Sequence, residues 1–111
     1  SVQGSSRRIA VLGDMLELGG YSIQEHRKLA DLAAGFGLDQ LFLFGRETQA
    51  TLERAEELRL VVHHFSDKDE LVQALIAILQ PGDVILFKGS RGMLMETLVE
   101  GVHHHLATNF K

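Results

Sequence analysis

The 111-residue sequence has no cysteine and no tryptophan, a single proline, one tyrosine and six phenylalanines. Without cysteine, disulfides and thiolate metal sites are excluded, as suits a reducing compartment. No apolar run approaches the roughly 20 residues of a membrane span, and the first residues lack the apolar core of a signal peptide. The expected setting is the cytoplasm. Basic residues are in deficit: 11 Lys and Arg stand against 15 Asp and Glu, for a net charge of −4. No basic surface large enough for non-specific nucleic-acid binding is therefore expected. Internal repeats and low-complexity segments are also missing. What remains is ordinary for one globular domain, with 45% apolar and 23% charged residues and enough length to bury a core.

Two short apolar runs organise the rest. Arg8 to Leu12 runs straight into Gly13-Asp14-Met15-Leu16-Glu17-Leu18-Gly19, and Val84 to Phe87 into Lys88-Gly89-Ser90-Arg91-Gly92-Met93. Continuous apolar runs that end in glycine and charge suit buried parallel strands opening onto a crevice.

Between them the periodicity alternates between strand and helix. Ser22 and Glu25 have the spacing of a capping box, followed by a helix with Ile23, His26, Leu29, Ala30, Ala33 and Phe36 on one face. Gly35 and Gly37 end it. Leu41 to Phe44 reads as a strand, Arg46 to Leu58 as a helix, and the β-branched and aromatic Leu60 to Phe65 as a third strand. Ser66-Asp67-Lys68-Asp69 caps another helix, whose apolar face is Leu71, Val72, Leu75, Ile76, Ile78 and Leu79. Pro81 stands in the turn where that helix must stop. A last helix is expected from about Met93 to Val102.

The resulting order β-α-β-α-β-α-β-α predicts an α/β fold of three layers. Parallel neighbours need crossovers and crossovers are right-handed, so about four mostly parallel strands carry helices on both faces. The commonest strand order for such a chain is 3-2-1-4. Strands one and four are then neighbours at the switch point where ligands of open sheets bind, and Asp14 would face Lys88 and Arg91 across the crevice. Residues 1–7 read as a flexible linker or leftover segment, residues 8–102 as the domain, and residues 103–111 as a tail.

An acid after Gly13 can accept ribose hydroxyls, hold a cation, or cap the next turn. Lys88-Gly89-Ser90-Arg91-Gly92 offers two cations, a hydroxyl and approachable amides just before a helix N-terminus, which suits a carboxylate or phosphate. The bland alternative pairs Lys88 with Asp14 or Glu96. It is not a P-loop, because the Gly-x-x-x-x-Gly-Lys-Ser/Thr order is absent. His103, His104 and His105 are adjacent, so on a helix they point in different directions and suit an exposed end better than a metal. His26 fits a packed, hydrogen-bonded side chain. No catalytic triad or carboxylate pair emerges from spacing.

Together, Val11-Leu12-Gly13-Asp14-Met15-Leu16-Glu17-Leu18-Gly19 and Val84-Ile85-Leu86-Phe87-Lys88-Gly89-Ser90-Arg91-Gly92-Met93-Leu94-Met95-Glu96 resemble the C-terminal domain of the Mur ligase family. His26 in Ser22-Ile23-Gln24-Glu25-His26 also fits, and the similarity spans about residues 8 to 102. The branch resembled adds D-alanyl-D-alanine to UDP-N-acetylmuramoyl-tripeptide in peptidoglycan precursor synthesis. The resemblance implies a Rossmann-like domain that works with an N-terminal UDP-binding domain and a central ATPase domain. ATP, with magnesium, phosphorylates the tripeptide carboxylate; the dipeptide amine then attacks the acyl phosphate and releases phosphate. The C-terminal domain closes over that centre, excluding water and aligning amine and carbonyl. By the same resemblance, Gly13, Asp14, Lys88, Gly89, Ser90 and Arg91 line the side facing the ATPase domain. Lys88 or Arg91 takes the dipeptide carboxylate or a phosphate, and Asp14 makes a polar ligand contact or anchors its loop.

The family's opening Asn-Ala-Asn-Pro-x-Ser stretch, its ATPase glycine loop and its UDP-binding domain are absent from the sequence. The expectation is a fragment with no catalytic residues or bound cofactor of its own, inactive alone. An uncovered sheet edge or apolar patch is a further expected consequence. The rival reading is a stand-alone doubly wound regulatory module, such as a receiver. That fold needs a phosphoacceptor aspartate ending its third strand, where this chain has Phe65-Ser66-Asp67. A generic dinucleotide module is disfavoured because Gly13 to Leu18 is not Gly-x-Gly-x-x-Gly.

Overall fold

Four strands line up in the order β3-β2-β1-β4, and every pairing is parallel. The computed structural model describes residues 7–15 and 18–89. The expected last helix from Met93 to Val102, with Glu96, and the 103–111 tail with His103, His104 and His105 lie outside them.

Strand β1 (Arg8–Gly13) is central and buried from Ile9 onward. It pairs with β2 (Gln40–Phe44) on one side and β4 (Val84–Lys88) on the other, while β3 (Val62–Phe65) extends the sheet beyond β2. Alternate residues of β1 serve opposite faces, as the two-residue strand period requires. Ile9 and Val11 join Phe42 beneath helix α3 (Lys68–Ile78), through Leu71 and Leu75. Ala10 and Leu12 join Leu41 and Leu43 beneath α1 (Ser22–Gly35) and α2 (Gln49–Glu57), through Leu29, Ala30, Ala33 and Ala55. Both faces of β1 are thus covered, which is why its sequence is apolar without alternation.

The helix ends follow local chemistry. At the end of α1, Gly37 takes φ +68° while its amide bonds Ala34 O and the Leu38 amide bonds Ala33 O. At the end of α2, Arg59 takes φ 61°, with the equivalent pair of bonds from Arg59 and Leu60 to Glu56 and Ala55. Both are left-handed C-terminal caps of the Schellman kind. Asp67 caps α3, its carboxylate accepting from the amides of Asp69 and Glu70. The start of α1 differs from the capping-box expectation. A 3₁₀ turn at Gly19–Tyr21 leads in, Tyr21 holds the cap position with no side-chain cap bond, and the Ser22 hydroxyl is engaged elsewhere. Ile23 and Phe36, expected on the buried face of α1, are each 67% exposed.

At the amino ends of the strands, Arg7 is tied into the sheet rather than belonging to the leading segment. Its guanidinium donates to both carboxylate oxygens of Asp83 and to the Ile78 carbonyl, and its own carbonyl accepts from the Val84 amide. Hydrogen bonding from Arg7 holds the Asp83 carboxyl below its usual range, against the opposing effect of burial. This clasp fixes where β4 starts beside β1. Beyond it, Ala10, Leu12, Leu29, Ala33, Phe36, Leu86 and Lys88 border an apolar groove of about 200 Å³ between α1 and β4. Leu86 is 54% exposed there, and β4 pairs on only one side among the described residues.

Candidate functional site

The register sets Leu12 of β1 opposite Lys88 of β4, at the carboxyl ends of two adjacent parallel strands. Gly13 and Gly89 follow directly, so the two glycine-bearing exits leave the sheet side by side, as the strand order 3-2-1-4 requires. Lys88 is exposed and stands at the edge of the apolar groove. Among the described residues it forms no ion pair. Ser90 and Arg91, the other two polar candidates of this exit, lie outside the described residues.

Asp14 is turned the other way. It is 5% exposed, and its Oδ1 accepts the Thr48 amide at 2.9 Å, at the cap position of α2. The carboxylate therefore supplies the negative end that the N-terminus of α2 favours. It fits there because Gly45, at φ +116°, has no side chain; a Cβ would collide with the Asp14 carboxylate. Asp14 thus anchors the exit of β2 instead of facing Lys88 across a crevice. The expectation that acidic and basic tips share one pocket is corrected on this point: the strands are neighbours, but Asp14 serves the neighbour on the opposite side from β4.

The residue expected to be a packed, hydrogen-bonded side chain lies at the centre of this end. His26 is fully buried. Its Nε2 accepts the Met15 amide at 2.9 Å, which places the proton on Nδ1, 2.8 Å from the Ser22 carbonyl. The Ser22 hydroxyl donates to Glu47 at 2.5 Å. The Thr51 hydroxyl donates to the His26 carbonyl at 2.7 Å. The exit of β3 joins in where His64 Nε2 donates to the Gly45 carbonyl at 2.8 Å. The exits of β1, β2 and β3 are therefore one hydrogen-bonded assembly, and that of β4 stands beside it carrying Lys88. The sequence signals for His26 were a polar residue at a core position of α1 and its fit to the family pattern in Ser22-Ile23-Gln24-Glu25-His26.

Among the described residues, no three His, Cys, Asp or Glu side chains group so as to hold a metal ion. No magnesium ligand is assigned to them. The receiver alternative also loses its footing, since β3 ends at Phe65 and Asp67 is committed to capping α3.

The family model "Mur ligase, glutamate ligase domain" matches residues 1–91. UDP-N-acetylmuramoyl-tripeptide–D-alanyl-D-alanine ligase from Bacillus subtilis (strain 168) is 35% identical over 104 residues, covering 90% of this chain and 22% of that protein. The ligase of the same name from Synechocystis is 39% identical over 93 residues, covering 84% and 20%. A crystal structure of MurF from Acinetobacter baumannii superposes with a TM-score of 0.77 at 33% identity, over 88% of this chain and 22% of that one. MurF ligase from Thermotoga maritima, in complex with ADP, gives a TM-score of 0.76 at 25% identity, over 94% and 23%. The chain spans about a fifth of the length of the curated relatives it matches. With the match running from the first residues through the exit of β4, and the fold agreeing strand for strand with the sequence order, the chain belongs to the Mur ligase family, as its glutamate ligase domain.

Proposed function

We propose that the chain is the C-terminal domain of an ATP-dependent ligase that joins D-alanyl-D-alanine to UDP-N-acetylmuramoyl-tripeptide in the cytoplasm. Residues 8–102 form the working domain and residues 103–111 its tail. The partners are the UDP-binding and ATPase domains of the intact enzyme, which hold the tripeptide substrate, ATP and magnesium. The observation that carries the reading is the parallel juxtaposition of Leu12 and Lys88 in a chain whose family match extends over residues 1–91.

In this reading the carboxyl end of the sheet faces the reaction. In the intact enzyme ATP would transfer its terminal phosphoryl group to the tripeptide carboxylate, releasing ADP, and the dipeptide amine would then displace phosphate from the acyl carbon. The domain contributes position and exclusion of water, which matter because an acyl phosphate hydrolyses if water competes with the amine. Lys88, exposed and cationic at the exit of β4, takes the dipeptide carboxylate or a phosphate, with Arg91 and Ser90 beside it in sequence. Gly89, exposed next to Lys88, leaves its backbone amide approachable, whereas Gly13 is buried at the end of β1. Asp14 acts indirectly, by anchoring loops.

The test is a domain exchange. This chain replaces the corresponding C-terminal fifth of the Bacillus subtilis ligase, and ATP-dependent formation of the pentapeptide product is measured. The reading predicts product formation by the chimera and none by the 111-residue chain alone or by the truncated ligase. A chimera that binds tripeptide and ATP but forms no product would overturn it.

A further inference from the structure

We propose that His26 is a positioning residue, whose neutral imidazole fixes the Asp14–Met15 exit of β1 against α1 at the carboxyl end of the sheet. The ring is fully buried and both its nitrogens are committed. Nε2 takes the Met15 amide at 2.9 Å, and Nδ1 gives its proton to the Ser22 carbonyl at 2.8 Å, with the Ser22 hydroxyl 3.2 Å away. A ring so engaged has neither a lone pair nor a proton left for a substrate, so it does not act as an acid or base.

What it does is mechanical. Met15 is the first residue after Asp14, and its amide is the point where the loop leaving β1 is fastened to α1. The same turn of α1 is fastened to α2 by Thr51, whose hydroxyl bonds the His26 carbonyl. It reaches the β2 exit through Ser22 and Glu47. Asp14, one residue before Met15, holds Thr48. The imidazole thus closes a ring of contacts running from the β1 exit through α1 and α2 back to Asp14. Remove its acceptor, and the Met15 amide loses its partner in a half-buried setting. The Asp14–Met15 exit of β1 is then no longer fastened to α1 at this point.

Substitutions separate this role from simple filling of space. Gln places a carbonyl oxygen near the position of Nε2 and can accept the Met15 amide. Asn is too short to reach it, and Leu fills the space without accepting.

The first measurement uses the unaltered 111-residue chain. Nitrogen NMR should show an imidazole protonated at Nδ1 and bare at Nε2, with a scalar coupling across the hydrogen bond to the Met15 amide. A ring protonated at Nε2, or no coupling, would overturn the proposal without any variant having to fold. Hydrogen exchange at Met15 should then accelerate about tenfold or more in His26→Leu and His26→Asn, as expected for a lost hydrogen bond, and return towards the parent rate in His26→Gln. Equal exchange in Gln and Leu variants would count against it.

The consequence for turnover rests on the ligase reading given above. In the chimeric ligase, His26→Leu should lower kcat about tenfold or more with KM for ATP changed less than about twofold, and His26→Gln should recover most of the loss. Met15 exchange that accelerates while kcat stays unchanged would overturn the positioning role. A chimera inactive with His26 intact would instead remove the ligase reading and leave the exchange result standing.

Discussion

Gly45 and Asp14 show how much can turn on a single missing atom. Asp14 was conspicuous in the sequence because an acid after a strand-ending glycine is a common ligand position. Its orientation was not legible, because it depends on an amide 34 residues away and on the absence of a Cβ at Gly45. Gly45→Ala combines a positive φ that Ala adopts with strain and a collision with a buried carboxylate. Its cost should be about 2–3 kcal/mol in urea unfolding. The same variant should raise hydrogen exchange at Thr48, whose amide Asp14 holds. A stability within about 0.5 kcal/mol of the parent would show that the Asp14–Thr48 anchor tolerates displacement.

At the scale of elements, the helices were read correctly in number and order over the described residues, and less well in their ends and faces. The end of α1 was legible because Gly37 is the expected residue for a left-handed cap. That of α2 was not, because Arg59 occupies the same conformation without glycine's signature. Ser22 has the composition of a cap, yet its hydroxyl donates to Glu47, 25 residues away, in place of that local role. The Arg7–Asp83 clasp was likewise invisible, since its partners are 76 residues apart. It carries a pH signature. Asp83 ionises more readily in the folded chain than its ordinary value of 3.8, so its contribution is present above that pH and is lost as pH falls through the lower folded value. Asp83→Asn should therefore destabilise the chain by about 1 kcal/mol near pH 6, and the gap should narrow below about pH 4. Thermal unfolding of the two proteins across that range checks both the sign and the window.

For the whole molecule, the strand order was the most legible feature. Short apolar runs separated by helical stretches require right-handed crossovers, and four such strands have few ways to lie together. The outcome sets the β1 and β4 exits side by side, with one reservation of chemistry: the cation faces outward and the acid faces inward. An apolar patch was expected, but its place between α1 and β4 was not legible, because Phe36 and Leu86 have the composition of core residues and stay exposed. In the ligase we propose, the sheet end with Lys88 would be the surface a substrate meets, with the hydrogen-bonded Asp14–His26 assembly behind it.

The most direct test of that account is steady-state kinetics of Lys88→Ala in the chimeric ligase, with D-alanyl-D-alanine varied at saturating ATP and tripeptide. The account predicts a loss of about tenfold or more in kcat/KM for the dipeptide, as for removal of one charge-assisted contact, with the unfolding midpoint of the domain unchanged. A kcat/KM within about twofold of the parent would contradict it.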